Sequence, residues 1–305
     1  MSNSTENDNG RYYEYLITEF LHKNYGVSLT QRSKENQLRD SKKKIDLRTK
    51  EKMIKSLGKI SKWISCKIKL DKETLLDRKP DLGNKTHSDI SLSNKYYENL
   101  NLSIKHNSTS IFHGRFSNIC EWIGLEKDSE SYNNYKKNIE KHNYQLHLKI
   151  PVGTKFTKDG KFLNSYAKDW SNYVYCIFNE MRKMFLILNS NEKYLLNIYK
   201  KIIGTGKNEY RILLKGNSIT IENLDEINMP KNLEARIIQK ERANFKMKFK
   251  HVWYLVIEFN NGLKIEARSK HDSSKMSKTP PLKPDWQVVD WGKSGMIKEN
   301  FKLQK

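Results

Sequence analysis

Apolar residues recur at helical spacing over residues 11–23, where Tyr12, Leu16, Ile17, Phe20 and Leu21 form one stripe. The pattern predicts a helix, capped by Asp8 or Asn9 and ended by Gly26. Glu14 and Glu19 then lie on its other faces. Residues 31–44 are strongly polar and read as a loop or an exposed helix. Residues 45–64 turn helical again, with Met53, Leu57, Ile60 and Ile64 in line. A short helix is expected over residues 71–78, stopped by Pro80, and residues 80–86 are rich in turn formers.

The period then changes to two. Residues 88–92 and 100–105 alternate polar with apolar side chains, which predicts two strands joined through residues 93–99. Helical patterns follow over residues 116–125, 129–141, 166–188 and 192–203. The last third turns to strands, at residues 210–215, 218–222, 252–259, 263–268 and 286–291. Asn260-Asn261-Gly262 is a hairpin signal, and residues 273–284 read as a Ser/Lys/Pro loop. Trp253, Tyr254 and Phe259 are expected to pack in the core, and Trp286 and Trp291 in the core or against a hairpin. The fold class is mixed α+β, with a mixed sheet flanked by helices and a β-rich C-terminal part. The length suits one domain, residues 1–305, or a subdivision at 1–150 and 151–305.

Composition adds a partner class. The 305 residues hold 57 Lys+Arg against 35 Asp+Glu, a formal net charge of +22. Such a surplus favours polyanions, although biased residue usage contributes to it. No apolar run approaches the length of a bilayer span, and the first ten residues lack an apolar signal core. Cys66, Cys120 and Cys176 are widely spaced and odd in number, without a CxxC pair. These features predict a soluble, cytoplasmic protein with no membrane partner.

Strand alternation locates candidate chemistry. Ile90 and Leu92 share one face with Leu100, Leu102 and Ile104, so Asp89, Ser103 and Lys105 share the other. An Asp on one strand and a Lys on its neighbour is the skeleton of a PD-(D/E)xK-type nuclease. The carboxylate holds Mg²⁺, a hard cation that takes oxygen ligands, and the lysine orients or deprotonates the attacking water. Ser103 stands where a second carboxylate is usual, and Glu14 is the candidate replacement. Asp81 of Pro80-Asp81 is the second choice for the metal-binding acid, and reads more readily as a turn former. Taken alone, the pattern also fits an amphipathic hairpin with a solvated polar face. The segment after the second strand, Lys105-His106-Asn107 through His113-Gly114-Arg115, gathers groups suited to phosphate and base edges.

"LSIKHN" followed by "HGRFS" resembles the strand and loop of the HaeIII-type type II restriction endonucleases. "GRYYEYL" is similar to that family's N-terminal helix, with Glu14 at its glutamate. "FNNGLKIEARSKHDSSK" leading to "LKPDWQVVDWG" resembles its C-terminal segment. The matches run in order from Gly10 to Gly292, loosely over residues 129–229. The resemblance implies a PD-(D/E)xK-like core and Mg²⁺-dependent, site-specific cleavage of double-stranded DNA at a GGCC-like target. It implies catalytic roles for Asp89, Lys105 and Glu14, with Asp89 and Glu14 holding the metal. His106, Asn107, His113, Arg115, Arg268, His271 and Ser273 would lie near DNA. A cognate methyltransferase would protect the same sites without binding the chain. Palindromic cutting suits a homodimer, and a monomer acting on each strand in turn is the other arrangement. The rival readings are a non-catalytic nucleic-acid-binding protein and a structure-specific repair nuclease.

Overall fold

A computed structural model describes residues 6–78, 88–107, 110–112, 115–155, 161–189, 191–203, 208–224, 231–241, 251–271, 275–293 and 296–303. The helices are α1 (Glu6–Tyr25), α2 (Gln31–Asp40), α3 (Leu47–Ser65), α4 (Ile119–Ile123), α5 (Glu130–His147), α6 (Lys161–Leu188) and α7 (Glu192–Ile203). A 3₁₀ turn, Phe116–Asn118, precedes α4. The strands are β1 (Ser28–Leu29), β2 (Leu75–Arg78), β3 (Ile90–Asn94), β4 (Tyr97–His106), β5 (Ser110–Phe112) and β6 (Glu209–Lys215). They continue with β7 (Ser218–Asn223), β8 (Leu233–Glu241), β9 (His251–Phe259), β10 (Lys264–His271), β11 (Leu282–Asp290) and β12 (Ile297–Lys302). The fold is mixed α+β, with a β-rich C-terminal part. Among the described residues no helix is long and apolar enough to cross a membrane.

The chain divides into two compact units, each assembled from separated stretches. The first comprises Met1–Thr109, Gly204–Ile227 and Met296–Lys305. Its sheet runs β1-β2-β3-β4-β6-β7-β12. The β3–β4 pair is antiparallel, with Ile90 opposite Leu102 and Leu92 opposite Leu100. The β4–β6 pair is parallel, with Ser103 opposite Arg211 and Lys105 opposite Leu213. Ile90, Leu92, Leu100, Leu102 and Ile104 are buried with Ile212, Leu214, Ile219 and Ile221. Tyr13, Ile17 and Leu21 from α1, and Met53, Leu57, Ile60 and Ile64 from α3, complete that core. The α3 stripe read from the sequence is thus the face that the helix buries; in α1, Tyr12, Ile17 and Leu21 are buried as expected, with Tyr13 buried and Leu16 and Phe20 only partly covered.

Local chemistry sets the helix ends. Asp46 caps α3 by accepting from the Thr49 amide at 2.9 Å. Thr30 caps α2 through the Ser33 amide at 3.1 Å. Gly26 ends α1 at φ +71°, a conformation open to glycine. Asp8 and Asn9 do not cap α1, because the helix already runs through them.

The second unit comprises Ser110–Ile203 and Asn228–Gly295. Its antiparallel sheet runs β5-β11-β10-β9-β8. Trp286 and Phe259 are buried as expected, whereas Trp253, Tyr254 and Trp291 are only partly covered.

Some elements differ from the sequence reading. Residues 71–78 do not form a helix. Asp71 Oδ1 accepts from the Glu73 and Thr74 amides at 3.0 and 3.1 Å, closing a turn, and Leu75–Arg78 then pair with β1 and β3. Backbone pairing on both sides outweighs a weak local helix preference. The polar stretch at residues 31–40 is the helix of the two alternatives, but not a wholly exposed one, since its inner face buries Ser33, Asn36, Gln37 and Asp40. The loop expected over residues 273–284 gives way to strand at Leu282, where β11 pairs with β10. The turn-rich segment at residues 80–86, Asp81 included, lies outside the described residues.

Candidate active site

Asp89 precedes β3 and is already tied to β4. Its amide donates to the Leu102 carbonyl at 2.7 Å. Its carboxylate Oδ2 accepts from the Ile104 amide at 2.6 Å and from the Ser103 hydroxyl at 3.3 Å. Lys105 Nζ lies 3.7 Å from the same oxygen. Three consecutive residues of β4 therefore hold one carboxylate. Asp89 and Lys105 keep 22% and 24% side-chain exposure, so this pair still meets solvent.

Glu14 comes to the same place from α1. Burial raises its carboxyl from the ordinary value of 4.5 to about 7, and the Asp89 charge adds to the rise. Arg78 and Lys105 oppose it without cancelling it. Two carboxylates and a lysine, drawn from a helix, a strand entry and a strand, thus share one electrostatic neighbourhood.

A buried arginine stands behind Glu14. Arg78, at the end of β2, is 1% exposed. Its Nη2 donates to Glu14 Oε2 at 3.1 Å, to Asp40 Oδ2 at 2.8 Å and to the Arg11 carbonyl at 3.3 Å. Its Nη1 donates to Gln37 Oε1 at 2.8 Å. Burial pushes the Asp40 carboxyl up, but hydrogen bonds from Arg39 and the Arg78 charge outweigh it and hold Asp40 below the ordinary carboxylate range. Sequence reasoning missed Arg78, because nothing in residue type separates a buried arginine from a solvated one. The helical spacing of Ser33, Asn36, Gln37 and Asp40 was the available signal, since it puts four short polar side chains on one face.

A magnesium ion needs oxygen ligands and binds through one or two carboxylates, waters and substrate phosphates. Glu14 Oε1 and Asp89 Oδ1 have no hydrogen-bond partner among the described residues, while their sister oxygens are engaged. The donor set fits such an ion. Among the described residues no three His, Cys, Asp or Glu side chains gather as a metal cluster.

The other candidates are placed differently. His106 faces the core side of β4, is 7% exposed, and sits edge-on to Tyr13 with ring centroids 6.5 Å apart. Burial lowers its basicity. Asn107 is exposed, in a left-handed conformation at φ +53°, and its Oδ1 accepts from the Gly216 amide at 3.4 Å. Both belong to the first unit with Glu14, Asp89 and Lys105. Arg115, Arg268 and His271 belong to the second. Arg115 is exposed. Arg268 Nε donates to the buried Asp285 carboxylate at 2.7 Å, so part of its guanidinium already serves the β10–β11 pair. His271 ends β10 opposite Leu282. His113 and Ser273 lie outside the described residues.

Comparison with known proteins finds no matching family model, no matching curated protein and no matching solved structure.

Proposed function

We propose that this chain is a magnesium-dependent endonuclease of the type II restriction class, hydrolysing phosphodiester bonds in double-stranded DNA. The observation that carries the reading is the convergence of Glu14, Asp89 and Lys105, with the Asp89 carboxylate 3.7 Å from the Lys105 ammonium. The net charge of +22 supplies attraction for a phosphate backbone.

In this reading Glu14 and Asp89 offer one unengaged oxygen each to the ion. A bound divalent cation stabilises negative charge on the phosphate and lowers the pKa of water. The Ile104 amide and the Ser103 hydroxyl keep Asp89 from rotating away. Lys105 orients the attacking water and offsets charge at the phosphate. Arg78 fixes the Glu14 carboxylate from behind. The products are 5′-phosphate and 3′-hydroxyl ends. A GGCC-like target and protection by a cognate methyltransferase belong to the same proposal.

Incubation of the purified chain with plasmid and Mg²⁺ tests it. Discrete fragments are expected, and mapping them yields target and cut position together. Asp89→Ala and Lys105→Ala should each lower the rate by about 10²-fold or more. A smear, no cutting, or full activity in both variants would overturn the assignment.

A further inference from the structure

The helix α3 carries a pattern that the site does not use. Arg48, Lys52, Lys55, Lys59 and Lys62 are spaced four, three, four and three residues apart. That rhythm places all five on one flank of the helix. At 1.5 Å per residue the row is about 21 Å long. Arg48, Lys55 and Lys62 are exposed, and Lys52 and Lys59 lie where the exposed face meets the buried one. Among the described residues none of the five forms a salt bridge. The Lys59 ammonium donates to the Lys302 carbonyl, which ties α3 to β12. Glu51 is the one acid in the helix.

The His106 ring, on the core side of β4, feels the charges of Asp46 and Lys52 at the start of α3. The row then runs toward the edge of the sheet, where Trp63 Nε1 donates to Glu299 of the edge strand β12 at 2.9 Å. The row thus ends over β12, to which Lys59 and Trp63 bind.

We infer that this flank of α3 is a rail for the sugar–phosphate backbone of duplex DNA. This rests on the nuclease reading above for the identity of the polyanion. Charge complementarity selects a phosphate backbone. The absence of an exposed aromatic on α3 selects duplex over single strand, because single-strand binders stack bases on aromatic platforms. The helix's one aromatic, Trp63, is 6% exposed. Contacts of this kind position the duplex without reading its sequence.

The test compares the full chain with the quadruple variant Arg48→Gln, Lys52→Gln, Lys55→Gln, Lys62→Gln. Lys59 is left alone because of its bond to Lys302. A control variant, Lys127→Gln, Lys137→Gln, Lys141→Gln, Lys168→Gln, removes four exposed charges elsewhere. Binding to a labelled 30-base-pair duplex is followed by anisotropy against salt, with EDTA present so that no cutting occurs. Each lost phosphate contact lowers the slope of log K against log salt by about 0.9. The rail variant should lose about 3 to 4 from the slope. A loss of less than two, or an equal loss in the control, overturns the rail. A larger stripe-dependent loss on single-stranded DNA or duplex RNA than on duplex DNA overturns its occupant. Stripe-dependent duplex binding by a chain that cuts nothing with Mg²⁺ supports the rail and sinks the nuclease reading instead.

Discussion

Arg78 Nη2 donates to Glu14 Oε2 at 3.1 Å from a position 1% exposed to solvent. The same nitrogen reaches Asp40 at 2.8 Å. One guanidinium therefore compensates two carboxylates, one structural and one belonging to the candidate site.

Removing that guanidinium leaves both acids without their buried countercharge. Arg78→Met is expected to cost about 3–5 kcal/mol of stability, read as a lower urea midpoint. Arg78→Lys keeps the charge but not the fork, so it should recover part of the loss. A midpoint unchanged in Arg78→Met would refute the role.

Glu14 makes stability depend on pH in a defined direction. Its carboxyl is raised in the folded chain from 4.5 to about 7. The folded state therefore holds this proton where the unfolded state has released it. The resulting stabilisation is fully present below about pH 4.5 and is lost as pH rises through about 7, by about 3 kcal/mol. Glu14→Gln cannot ionise and should lack this component. Urea midpoints of both proteins between pH 5 and 8, taken in EDTA, check it. Identical profiles would show that Glu14 is not perturbed.

Ser103 donates to Asp89 at 3.3 Å and is 6% exposed. Ser103→Asp places a second carboxylate against the first. In EDTA it should lower stability by about 2 kcal/mol, since like charges oppose ionisation there. Mn²⁺ or Mg²⁺ should then stabilise the variant more than the parent, because binding to the native state adds to its stability. Melting curves with and without metal measure both effects. An equal metal response in the two proteins would argue against an ion at this position.

The second unit offers a packing test. Trp286 is 0% exposed and meets Phe185 edge-on, with ring centroids 6.1 Å apart. Trp286→Ala should cost about 3–5 kcal/mol. Its indole N–H has no hydrogen-bond partner among the described residues, so Trp286→Phe should cost much less. Equal losses would mean that the N–H has a partner after all.

The alternation at residues 88–92 and 100–105 was enough to place Asp89 opposite the apolar face, because side-chain direction along a strand has a period of two. The helical stripes of α1 and α3 were equally legible, since burying one face is what makes those helices stable. Residue 14 was separable from the stripe for the same reason. The strand at Leu75–Arg78 was not legible. Its pairing comes from β1 and β3, which are separate segments of the chain, and local preference says nothing of that. Nor did residue type mark Arg78 as buried: its cost inside the protein is met by Glu14, Asp40 and Gln37, which arrive from α1 and α2. The sequence by itself determined which side chains share a face. Only the tertiary structure decided which faces meet, because burial and charge compensation are properties of several elements at once. That is why Glu14 and Asp89 could be proposed as partners from the sequence, while the arginine that holds one of them appeared only in the fold.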